Sequence, residues 1–148
     1  MSKFTVANVQ TNSKRDPQDN IREVSALIRE AKAKGADLIV TPEVVGMIEP
    51  KRELGLAKAK PEETHEVLAA FRALAAELGV WLLIGSISIK VAEDKMANRQ
   101  FLIDDSGNIV ARYSKIHMFD VQVGDGQTYR ESNTYRPGEE AVVVETPW

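Results

Sequence analysis

Apolar residues recur along this chain at two spacings, and the alternation between them lays out the elements. Phe4, Val6 and Val9 fall in a short β-type stretch that ends near Gln10. A polar turn follows over Asn12–Asp16. Asp16 before Pro17 reads as a helix N-cap with proline at the first helical position, where its missing N–H costs nothing. Ile21, Val24, Leu27, Ile28 and Ala31 then follow at spacings of three, three, one and three, one stripe of an amphipathic helix, and Gly35 supplies its stop. Asp37-Leu-Ile-Val-Thr41, closed by Pro42, is a short apolar run of the kind that forms a buried strand. Strand, helix and strand in this order predict a parallel pair joined by a right-handed crossover.

The pattern then lapses over Gly46–Lys60, which reads as a loop. Pro61-Glu-Glu63 is expected to open a second helix, with acid at its positive end. Its stripe is Val67, Leu68, Phe71, Leu74, Ala75 and Leu78, and Gly79 ends it. Val80–Ile89 is a nearly continuous apolar run that predicts a strand buried on both faces. Asn98–Asp104 and Ile109–Ser114 form a predicted hairpin about Asp105-Ser-Gly-Asn108. From Lys115 to Gly138 no period holds, yet Phe119, Val121, Val123, Tyr129 and Tyr135 make the stretch too apolar for a tether. Long unpatterned segments in compact domains tend to be functional, so it is expected to pack down and line something. Ala141–Glu145 reads as a last short strand.

Composition narrows the classes. With 148 residues, 43% hydrophobic and 28% charged, the chain is expected to be one globular domain over 1–148. Its 19 basic and 22 acidic side chains leave a net charge of −3, without the basic excess of a nucleic-acid binder, so no nucleic-acid partner is expected. The Val80–Ile89 run is too short for a membrane span, which needs about 20 apolar residues, and no membrane partner is expected. No secretory signal is visible at the amino terminus, so the expected location is cytoplasmic. There are no cysteines and only two histidines, His65 and His117, which argues against disulfides and a structural zinc site.

Most common chemical signatures fail. Gly124-Asp-Gly126 opens like a dinucleotide loop, but Tyr129 stands where the third glycine belongs. Asp120 and Asp125 lack calcium-loop spacing and read as solvated, and His117 reads as a hydrogen-bonded packing residue. Glu43 is different. It stands just past the carboxyl end of a buried parallel strand, the edge where open α/β sheets bind ligands, and two valines follow it. Desolvation there would raise its pKa toward that of a general base. Lys115 ends another strand, with Ile116, Met118 and Phe119 beyond it, and is either snorkelling or held by carboxylates.

Taken together, Thr41-Pro-Glu43, Tyr113-Ser-Lys-Ile-His-Met-Phe-Asp120, Tyr129-Arg-Glu-Ser-Asn133 and Pro137-Gly138 resemble the nitrilase superfamily of carbon–nitrogen hydrolases. The likeness runs from the first strand to the last residue, nearest to the branch of omega-amidases and deaminated-glutathione amidases. It implies an α/β fold, the nitrilase-type α-β-β-α sandwich, of which this chain would supply the amino-terminal half. It also implies catalytic roles. Glu43 matches the general base that takes a thiol proton and later activates water. Lys115 matches the lysine that stabilises the tetrahedral oxyanion. Glu131 matches a second glutamate that holds the lysine and the leaving group. A lysine between two carboxylates stays charged, while the carboxylate pair separates in pKa.

The fourth group of that mechanism is a cysteine forming a thioester, placed in the family after a segment beginning like Thr146-Pro-Trp148. This chain holds no cysteine, and neither Ser13 nor Ser86 lies where the nucleophile belongs. The expectation is an amidase cut just upstream of its nucleophile and inactive by itself, with a sheet face left uncovered and the isolated chain prone to associate. The full-length parent would cleave the terminal amide of a small carboxylated substrate, such as an α-keto acid amide or deaminated glutathione. It would need no cofactor and would form a homodimer. The alternative is a non-catalytic truncated subunit that assembles with a complete paralogue.

Overall fold

The computed structural model describes residues 3–124 and 126–148, so Asp125, read above as solvated, lies outside the described residues. Strands β1 (Val6–Asn8), β2 (Leu38–Val40), β3 (Trp81–Lys90), β4 (Met96–Ile103) and β5 (Ile109–Ser114) form one sheet in sequence order. The first three run parallel; β4 and β5 add antiparallel. Helices α1 (Pro17–Ala33) and α3 (Glu66–Leu78) cover one face. Between them and the sheet lie Val24, Ile28, Ile39, Phe71, Leu82, Ile84 and Phe101, all at most 2% exposed. None of the described helices is long and apolar enough to cross a membrane.

Local chemistry sets the helix limits. The Asp16 side chain accepts from the Gln18 N–H at 2.9 Å with Pro17 beside it, as the sequence predicts. Gly35 and Gly79 take the left-handed backbone that closes each helix, and the next N–H in each case reaches back to Ala31 and Ala75. The hairpin turn also forms, with the Asp104 carboxylate accepting from the N–H groups of Ser106 and Asn108.

Several expectations are corrected. Gly46–Lys60 is not all loop: it holds a third helix, α2 (Arg52–Lys58), of seven residues, too short to show a period. The second helix does not begin at Pro61. Glu62–Thr64 make a 3₁₀ turn, and α3 starts at Glu66 with His65 as its cap residue. Strand β3 is not buried on both faces throughout, because Trp81 and Leu83 are only half-buried. Lys115–Gly138 contains a small hairpin, β6 (Asp120–Gln122) with β7 (Thr128–Arg130), and a 3₁₀ turn over Glu131–Asn133. Ala141–Glu145 is not a strand. Its side chains alternate, Val143 at 97% exposure, but no described backbone pairs with it in a ladder.

The sheet face opposite the helices carries Leu83, Leu102, Ala111 and Tyr113. With Val142 and Val144 they line an open hollow of about 420 Å³. The described residues thus supply one helical layer and one sheet layer. Trp148 returns to the start of the sheet, stacked on Phe4 at 4.6 Å and edge-on to Trp81.

Candidate active site

Strand direction brings the sequence's candidates to one edge. β1, β2, β3 and β5 end there and β4 begins there, so Glu43 after β2, Lys115 after β5 and Asn98 early in β4 share it. Strand β3 lies between Glu43 and the other two. The chain crosses it at Gly85, where a Cβ would sit 2.1 Å from the Thr41 carbonyl oxygen and 2.5 Å from Pro42. Only glycine permits this approach. The Gly85 N–H donates to Thr41 Oγ1 at 3.1 Å. Beyond the crossing, Val44 has a φ of 53°, a costly left-handed conformation for a β-branched residue. Ser86 holds it there: its hydroxyl accepts from the Val44 N–H and its carbonyl from the Val45 N–H, both at 2.9 Å.

Glu131 arrives by another route. The β6–β7 hairpin turns the chain back so that the Glu131 N–H reaches the Phe119 carbonyl, and the Phe119 N–H donates to Glu131 Oε2 at 2.6 Å. Asp120 fixes the same corner by accepting from the Ser132 N–H and hydroxyl, which lower its pKa. Lys115 Nζ then lies 2.9 and 3.2 Å from the Glu131 oxygens and 3.2 Å from Glu43 Oε1. Burial pulls the ammonium's pKa down, but the Glu131 and Glu43 carboxylates outweigh it and leave the pKa above the ordinary lysine value. The ammonium stays charged.

The three residues named from sequence therefore meet, with one correction. The Glu43 side chain is 58% exposed against 15% for Glu131, so the apolar enclosure expected around Glu43 is not built by this chain. His117 is also exposed rather than packed, since it lies on the outer turn between Lys115 and β6. Phe119 and Tyr129 touch each other at 5.8 Å but remain about half exposed.

Sequence reasoning passed over Asn98 and named Tyr135 only among the apolar residues of a stretch expected to pack down and line something. Asn98, 4% exposed, donates from Nδ2 to Glu43 Oε1 at 2.6 Å. Tyr135 shares with Glu43, Met47, Ile48 and Met96 the wall of a cleft of about 320 Å³. Its hydroxyl pairs with Ser88 Oγ at 2.8 Å; burial raises its pKa, and the nearby Glu131 and Glu43 carboxylates add to the rise. Neither residue follows a periodic pattern that would have marked it.

These features define a mixed α/β protein with a lysine clamped between two carboxylates at the carboxyl edge of its sheet. The carbon–nitrogen hydrolase profile matches residues 5–148, and the chain belongs to that family. Similar curated proteins include the deaminated glutathione amidase of Yersinia enterocolitica, 32% identical over 99% of this chain and 52% of its own length. The omega-amidase of Homo sapiens is 30% identical over 100% of this chain and 52% of its own length. The chain thus spans about half the length of the curated relatives it matches. Among solved structures, the NitFhit protein of C. elegans superposes with a TM-score of 0.84 at 25% identity, over 94% of this chain and 34% of its own. An amidase from Nesterenkonia sp. superposes with a TM-score of 0.75 at 23% identity, over 91% of this chain and 48% of its own, a likeness of fold alone.

Proposed function

We propose that this chain carries the acid–base half of an amidase acting on the terminal amide of a small carboxylated molecule, an α-keto acid amide or deaminated glutathione. The observation that carries the reading is Lys115 Nζ at 2.9 Å from Glu131 and 3.2 Å from Glu43. The names of the similar amidases support the substrate class. The nucleophile is a cysteine thiol supplied from outside these 148 residues, none of which is cysteine, so the chain by itself is inactive.

In this mechanism Glu43 takes the thiol proton, and the thiolate attacks the amide carbonyl carbon. The resulting oxyanion faces the Lys115 ammonium. Glu43 returns the proton to the nitrogen, the C–N bond breaks, and ammonia leaves a thioester. Glu43 then removes a proton from water, whose oxygen attacks the thioester and frees acid and thiol. Glu131 holds the lysine. The proposed setting is a cytoplasmic homodimer.

The gene read past the Trp148 codon gives the first test: a strand leading to a cysteine supports the reading, and an immediate stop sinks it. In the gene-encoded protein, Lys115→Met then abolishes amide hydrolysis, and near-normal turnover would remove the assignment. The absence of cysteine favours one other reading, a non-catalytic subunit built into a complete paralogue. Native mass spectrometry after co-expression separates the two, since that reading requires a mixed species.

A further inference from the structure

We propose that Asn98 is the positioning residue of this site, fixing which oxygen of Glu43 is occupied and which is free. The inference rests on the reading of Glu43 as the base. Asn98, the third residue of β4, is 4% exposed, in a place where a polar side chain is costly unless paired. Its pairing is specific. A carboxylate can only accept, so the amide must present its NH2 group, and Nδ2 lies 2.6 Å from Glu43 Oε1. Lys115 Nζ contacts the same oxygen at 3.2 Å. Among the described residues none donates to Oε2, which leaves that oxygen to exchange a proton.

The backbone of the same residue ties in the lysine. The Asn98 carbonyl accepts from the Lys115 N–H at 2.9 Å, and the Lys115 carbonyl accepts from Gly138 at 2.8 Å. One residue of β4 therefore sets the side chain of Glu43 and the main chain of Lys115 together. This matters because Glu43 is the most exposed member of the cluster, at 58%, and directly precedes a strained Val44. A side chain so placed would sample several rotamers. The amide of Asn98, on a central strand paired on both sides, removes that freedom. Asn98 touches neither the substrate nor the oxyanion; it acts through Glu43.

The test uses NMR of the whole chain, following the Lys115 Nζ nitrogen and the Asn98 side-chain amide against pH. Asn98→Leu keeps the branched shape, at a somewhat larger volume, and removes the donor. It is expected to lower the Lys115 pKa, because Glu43 is released from the ammonium. Glu43→Gln lowers it as well, and the double variant shows no further fall, since both act through one contact. A shift in Asn98→Leu that persists unchanged in the Glu43→Gln background would make Asn98 a packing residue and overturn the proposal. Should Asn98→Leu not fold, the unsubstituted chain decides. Its Asn98 amide protons must move with the ionisation of Glu43 and cease to do so in Glu43→Gln; amide shifts indifferent to pH refute the pairing. Failure of the base assignment reads differently, as full turnover of Glu43→Gln in the gene-encoded protein with this coupling intact.

Discussion

Replacing Gly85 by alanine puts the crossing over β3 to a quantitative test. The added Cβ would lie 2.1 Å from the Thr41 carbonyl oxygen and 2.5 Å from the Pro42 carbonyl carbon and oxygen. All are backbone atoms, which cannot rotate away as a side-chain tip would. Bringing the shortest contact to 3.0 Å, the limit that real Cβ atoms respect, moves the Thr41–Pro42 segment by about 1 Å. Overpacking of a rigid core costs about 1–3 kcal/mol. The same shift strains the Gly85-to-Thr41 hydroxyl bond at 3.1 Å and the Thr41-to-Leu83 bond at 3.0 Å, each contributing about 1 kcal/mol. The expected loss is therefore about 2–5 kcal/mol. Glu43, one residue on, would be carried beyond hydrogen-bond reach of Lys115. Urea unfolding measures the first effect and the Lys115 Nζ titration the second. Gly124→Ala is the control, because its Cβ meets nothing within 4 Å. A Gly85→Ala chain within about 0.5 kcal/mol of the parent, with the Lys115–Glu43 contact kept, would refute the crossing as the device that delivers Glu43.

Three further outcomes are expected. Asp16→Ala removes the cap bond to Gln18 and lowers stability by about 1 kcal/mol in urea unfolding. Phe71→Ala empties a fully buried site between α3 and the sheet and costs about 3–5 kcal/mol, read the same way. His65 is held below its ordinary pKa by burial, against the opposing bond to the Ser88 carbonyl. The stability tied to its neutral ring is therefore complete above the unfolded value of about 6.5 and is lost as pH falls through the folded pKa. The urea midpoint should drop from about pH 7 to about pH 5 more steeply in the parent than in His65→Gln. Equal slopes would show that the ring is not the sensor.

What the sequence determined by itself is what neighbouring residues settle between themselves. The Asp16–Pro17 cap, the glycine closures at Gly35 and Gly79, and the Asp104 turn all form as read, because each depends on a few consecutive residues. The stripes of α1 and α3 were legible for the same reason, since a period of 3.6 needs only its own helix. α2 was not, because seven residues hold too few turns to show one. Ala141–Glu145 read as a last short strand, yet a strand exists only where a second backbone offers its N–H and C=O groups, and none of the described residues does.

The site divides in the same way. Thr41-Pro-Glu43 marked a strand end, and the block around Lys115 and Glu131 carried the family likeness, so the identities of three members were readable. Their meeting was not. Glu43 and Lys115 stand 72 residues apart, and only the strand order, the bare backbone of Gly85 and the β6–β7 hairpin bring them together. Local context also misjudged the surroundings of Glu43: two following valines suggested an apolar pocket, but enclosure is a property of packing, and this chain leaves the carboxylate 58% exposed. Asn98 is the sharpest case. It is the first of three successive polar residues in β4, and nothing sets it apart from Arg99 and Gln100 until the tertiary fold sets a carboxylate 2.6 Å from its amide.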